Sequence, residues 1–106
     1  MPTASSDAID KDREINELKV IISEYFRYSL AELSSASRKS QIVYARNIAI
    51  YLIRELYKTP LKRIGEHFGR RDHATIAHSY DKIKESIKTN PHIKADIDYI
   101  TQKLKN

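Results

Sequence analysis

Six consecutive residues, Arg70-Arg71-Asp72-His73-Ala74-Thr75, followed by His78, bring guanidinium, carboxylate, imidazole, methyl and hydroxyl groups into one short segment. Such a set suits recognition by hydrogen bonding better than bond-making. Arg and His donate to ring nitrogens and carbonyl oxygens, a carboxylate accepts from an exocyclic amine, and Thr offers a hydroxyl or a methyl. Catalysis is not expected, because Asp72 and His73 are adjacent and point in different directions on a helix, and no Ser has a geometric claim as nucleophile. A metal site is not expected either: the chain has no Cys, its nitrogen ligands are His67, His73, His78 and His92, and His73 and His78 miss the four-residue spacing that shares a helix face. Its two glycines, Gly65 and Gly69, assemble neither a phosphate loop nor a dinucleotide fingerprint, so no cofactor and no ATPase chemistry are expected of these residues.

Those groups need a rigid element to present them, and the flanking sequence supplies one. Leu61, Ile64 and Phe68 share one face of a short helix, Gly69 permits a tight turn, and Asp72 has the residue type of an N-cap. Ile76, Tyr80, Ile83 and Ile87 then continue a second helix to about Thr89. This is the pattern of a helix-turn-helix over about residues 61–89, with Arg71, Asp72, His73, Ala74 and Thr75 where a recognition helix enters a major groove. The helix start also offers free amides and partial positive charge to phosphate. Double-stranded DNA is therefore the expected partner.

Charge distribution agrees with that placement. The net charge is +5, but residues 1–35 carry four Lys/Arg against seven Asp/Glu, whereas residues 36–80 carry nine against three. The positive block contains the motif, including Lys62 and Arg70 as further candidate DNA contacts, as a phosphate-binding surface requires. At 106 residues and 41% apolar content the chain is long enough for one domain and too short for two. The absence of Cys, of a basic start followed by an apolar run, and of any membrane-length apolar segment leads to an expectation of a cytoplasmic, nucleoid-associated protein without membrane contact.

The remaining elements read as all-α. Residues 1–9 are expected to be a flexible start, and residues 10–106 one helical domain. Ile15, Leu18, Ile22, Tyr25 and Phe26 recur at helical spacing from about Asp10 to Tyr28, and Ser29-Leu30-Ala31-Glu32 has the form of a capping box opening a short turn that ends near Leu33. Ser34–Ser37 reads as a loop, and Arg38, Lys39 and Ser40 lead into a helix whose buried face is Ile48, Ala49, Leu52, Ile53 and Leu56. Thr59-Pro60 breaks it, Asn90-Pro91 ends the second motif helix, and Ile93, Ile97, Ile100 and Leu104 mark a last helix. The fold expected is five to six helices in a single small domain.

The segment Ile64–His78, preceded by Ala45–Leu56, resembles the C-terminal DNA-binding domain of the bacterial replication initiator DnaA, a Trp-repressor-like helix-turn-helix fold. The likeness runs from about Ile15, through Ile22–Phe26 and Leu30–Leu33, and its most specific part is Gly-x-Arg-Asp-His-x-Thr, here Gly69, Arg71, Asp72, His73 and Thr75. The resemblance implies that Arg71, Asp72, His73, Ala74 and Thr75 contact bases and phosphates, with His78 facing the backbone one turn on. It implies that the basic segment with Arg38, Lys39, Tyr44 and Arg46 reaches the adjacent minor groove and phosphates. It further implies monomeric binding to an asymmetric box at a replication origin and, if the chain is an excised domain, an upstream ATPase domain. Arg70 stands where the family commonly has a second glycine, Ala74 where it has a threonine, Ala45 where it has a proline, Tyr44 where Arg is frequent, and Lys62 in place of the proline of a Leu-Pro pair. Each departure falls on or near the expected DNA surface, where it would alter the preferred sequence. Two alternatives have their own signals: a dimeric helix-turn-helix regulator using the Ile93–Leu104 stripe as a seam, and a helical protein-interaction module docking its basic face on an acidic partner.

Overall fold

The computed structural model describes the backbone of residues 3–106 and the side chains of residues 11–106. Met1 and Pro2 lie outside the described residues. Six helices follow one another: α1 (Thr3–Phe26), α2 (Leu30–Ser34), α3 (Ser40–Tyr57), α4 (Leu61–His67), α5 (His73–Ile87) and α6 (Pro91–Lys105), with no strand among the described residues. The helix expected from Asp10 thus extends back to Thr3 through residues expected to be a flexible start. It stops at Phe26 because Arg27 turns left-handed, with φ 64°.

Local sequence chemistry sets most of the boundaries. Ser29 and Glu32 form the expected capping box at α2, each side chain satisfying the other's backbone amide, at 3.0 and 2.8 Å. α3 ends at Lys58, a left-handed cap with φ 52°, just before the Thr59-Pro60 break. Asn90 caps α6 by accepting from the His92 amide at 3.0 Å, and Pro91 occupies the first turn, where its missing amide hydrogen costs nothing. α5 ends two residues short of the expected Thr89, its last carbonyls being taken up by a turn in which the Asn90 amide reaches Ser86 at 2.9 Å.

α3 is the axis of the fold and packs against α1, α2, α4 and α5. Ile15, Leu18 and Ile22 of α1, Ile48 and Ile53 of α3, Ile64, Phe68, Ile76 and Ile100 are all fully buried in one core. The buried face of α3 is broader than the expected one: Ile48, Ala49, Leu52 and Ile53 are buried as expected, Ile50 is fully buried as well, and Leu56 is 41% exposed. Four neighbours surround α3, so residues outside a single stripe are enclosed, and the stripe runs out at its C-terminal end.

Two polar ties fasten this core. Asp96 of α6 is buried and accepts from the Tyr25 hydroxyl of α1 at 2.6 Å and the Tyr44 hydroxyl of α3 at 2.7 Å. On the opposite side of α1, Asp12 accepts from Arg63 Nε at 3.2 Å and lies 3.1 Å from His67 Nε2, both on α4, while Lys19 donates to the His67 carbonyl at 2.7 Å and its ammonium stands over the Phe68 ring. The hydrogen bond and charge of Arg63 hold the Asp12 carboxyl below its ordinary value.

Candidate nucleic-acid interface

The segment from Leu61 to Ile87 forms the expected helix-turn-helix: α4, a five-residue turn, and α5. Its tightness depends on both glycines. A Cβ on Gly65 would collide with the Arg71 carbonyl, because the backbone entering α5 crosses directly over α4, and the Arg71 amide donates to the Gly65 carbonyl at 3.1 Å. Gly69 is left-handed, with φ 77°, and a Cβ there would stand 2.8 Å from the Ser34 carbonyl oxygen. Arg70 follows in the same region with φ 60°, so two consecutive left-handed residues swing the chain into α5.

Asp72 is the N-cap of α5, accepting from the Thr75 amide at 2.9 Å, and that hydrogen bond draws its carboxyl below the usual range. Asp72 remains exposed while it caps. His73, Ala74, Thr75 and His78 are all exposed at the start of α5, while Ile76 and Ser79 turn inward. Ala74 and His78 are four apart and share one outward stripe, which Lys82 extends by another turn. Lys82 was not singled out by sequence reasoning, although its spacing from His78 is the available signal. It lines a groove with Arg38 and Ser40, at the point where α5 comes nearest the start of α3. Lys62 and Arg70 are exposed beside the turn and share another groove with Glu66 and Arg71.

The basic segment before α3 separates into two groups. Arg38 and Lys39 are exposed, and the loop carrying them is shaped by its own serines: the Ser37 amide donates to Ser35 Oγ at 3.1 Å, and the Lys39 amide to Ser37 Oγ at 3.2 Å. Arg46 instead is only 5% exposed and donates to the carbonyls of Leu33, Ser35 and Ser37, at 2.9, 3.0 and 3.1 Å. Burial, with the nearby Arg71 charge, lowers its pKa. Tyr44 also faces the protein, with its hydroxyl on Asp96 and its ring edge-on to Phe26 at 5.6 Å. Arg71 is partly buried, donating to the Ser35 carbonyl at 2.6 Å and to the Phe68 carbonyl. All three side chains are thus engaged by groups of the protein itself. An arginine or tyrosine in a basic segment looks the same in sequence whether it meets phosphate or a loop carbonyl.

Among the described residues no helix is long and apolar enough to cross a membrane, and no cluster of His, Asp and Glu is arranged to hold a metal ion.

Residues 15–83 match the family described as the bacterial dnaA protein helix-turn-helix. The chain belongs to that family. A chromosomal replication initiator protein DnaA from Levilactobacillus brevis is 48% identical over 84 residues, covering 79% of this chain and 19% of that protein. Its counterpart from Lactobacillus helveticus is 40% identical over 100 residues, covering 92% and 22%. The chain thus spans about a fifth of the length of these DnaA relatives. A crystal structure described as a DNA replication initiation factor superposes with a TM-score of 0.84 at 21% identity, over 95% of this chain and 31% of the other, so the fold is shared well beyond close sequence similarity.

Proposed function

We propose that this chain binds double-stranded DNA sequence-specifically as a monomer, with the start of α5 in the major groove and the Arg38-Lys39 loop against the neighbouring backbone and minor groove. The observation that carries this reading is the Asp72-capped start of α5: His73, Ala74, Thr75 and His78 are exposed there together, with the exposed cations Lys62 and Arg70 beside the turn and Lys82 further along the helix. His73 and the second oxygen of Asp72 supply base-edge hydrogen bonds, Ala74 meets a thymine methyl, and Thr75 and His78 reach phosphates. Membership of the DnaA family supports an origin-type asymmetric box as target, bound on chromosomal DNA in the cytoplasm, with ATP chemistry supplied from outside these residues. The stripe that could have served as a dimer seam is directed inward: Ile93 and Ile100 are buried, and Ile97 and Leu104 pack against the core.

Selection from a random duplex library tests the reading. Wild-type protein is expected to enrich one asymmetric motif, and His73→Ala to lose preference at one or two adjacent positions by about 1–3 kcal/mol while retaining its fold. Failure of the wild type to enrich any motif would overturn it in favour of a basic protein-interaction module.

A further inference from the structure

The two segments proposed to touch DNA, the Arg38-Lys39 loop and the start of α5, are distant in sequence but share one fastening. Ser35, at the root of the loop, presents a single carbonyl to two guanidinium groups: Arg46 at 3.0 Å from within α3, and Arg71 at 2.6 Å from the residue preceding the α5 cap. Arg71 simultaneously holds the Phe68 carbonyl across the turn, so one planar side chain spans the turn and the loop. The surfaces also meet directly, since Gly69 approaches the Ser34 carbonyl too closely for any side chain, and Ser34 Oγ donates to the His67 carbonyl at 3.3 Å. Burial lowers the pKa of Arg71, consistent with a guanidinium turned into the protein.

We infer that Arg71 is a positioning residue, not a base reader: through the Ser35 carbonyl it locks the Arg38-Lys39 loop to the start of α5, so the two segments engage DNA as one rigid ruler of fixed spacing. A guanidinium that bridges two carbonyls has little freedom to leave for a base edge without releasing the loop, whereas His73 and Thr75 are free to do so. Arg46 holds the loop from the other side, through Leu33 and Ser37 as well, so the loop is gripped between the core and the recognition helix. Two linked contact segments gain affinity only where both engage at once, and a stiff link makes that gain depend on the spacing of their DNA subsites.

This inference rests on the DNA-binding reading, and the test separates the two. Wild type, Arg71→Ala and Arg71→Lys are titrated with the duplex selected by the wild type, with all single-base variants of it, and with a duplex carrying one inserted base pair between the loop and α5 subsites. The wild type is expected to lose about tenfold or more in affinity on insertion. Arg71→Ala is expected to bind the parent duplex more weakly, keep the same base preferences, and lose no more than about threefold on insertion. Arg71→Lys, which keeps the charge and one donor direction, is expected to fall between them. Changed preference at a single base pair with the insertion penalty intact would make Arg71 a base reader and overturn the inference. If Arg71→Ala does not fold, the Arg71→Lys profile decides between the same two outcomes. A wild type that binds no duplex would overturn the underlying reading instead.

Discussion

Arg70 shows how one residue can serve two opposed demands. Its left-handed backbone is disfavoured for any side chain with a Cβ, and the resemblance placed a glycine at this position. The cost is tolerated where the side chain is useful, beside Lys62 in the groove next to the start of α5. Arg70→Gly is therefore expected to raise stability by up to about 1 kcal/mol, the relief of strain exceeding the extra unfolded-state freedom of glycine. It should also weaken DNA binding uniformly across sequences. Thermal unfolding and duplex titration of the same variant check both halves. At this scale sequence reading found residue types well and directions poorly. Asp72 as cap was legible because capping is local. The inward turn of Arg46, Arg71 and Tyr44 depends on carbonyls and a carboxylate brought from other elements, and nothing in the neighbouring sequence encodes that. Asp96 carried a signal that went unread: it is an acid within the Ile93, Ile97 and Ile100 stripe, a position that demands buried hydrogen-bond donors.

Among the elements, the helices themselves were readable because apolar spacing, caps and the two proline breaks agree with one another. The full breadth of the buried face of α3 was not, since a helix enclosed by several neighbours has no single apolar stripe. The tie between α1 and α4 was likewise invisible, because Asp12 and His67 are 55 residues apart. That tie gives α4 a pH dependence. The Asp12 carboxyl titrates below its ordinary value in the folded protein, so its contribution is full above the unfolded value near pH 4. The contribution disappears as pH falls through the lowered folded value. Asp12→Asn is accordingly expected to lower the melting temperature by a constant amount above about pH 5, with the difference from wild type closing below about pH 4. Parallel melting curves across that interval measure it. A difference that persists undiminished in acid would mean that the carboxylate charge is not what joins the two helices.

For the molecule as a whole, charge and shape cooperate. The acidic excess lies in the first 35 residues and the basic excess in the next 45, and folding places Lys62 and Arg70 beside the turn into α5 and Arg38 beside Lys82 further along that helix, with Lys39 exposed next to Arg38. Neutralising about five phosphates predicts a log–log slope of affinity against salt of about −4 to −5. Fluorescence anisotropy over a salt series measures the slope, and a flat response would contradict a phosphate-binding surface. The same scale brings out a property of α1. It is a shaft of 24 residues, about 36 Å long, and its fastenings at Asp12 and Lys19 both grip the end of α4 that feeds the turn. A tilt or twist applied to that shaft is delivered to Arg63 and to His67, the latter two residues from Gly69. Mechanically, the first helix is the lever arm and the turn before the recognition helix is its fulcrum.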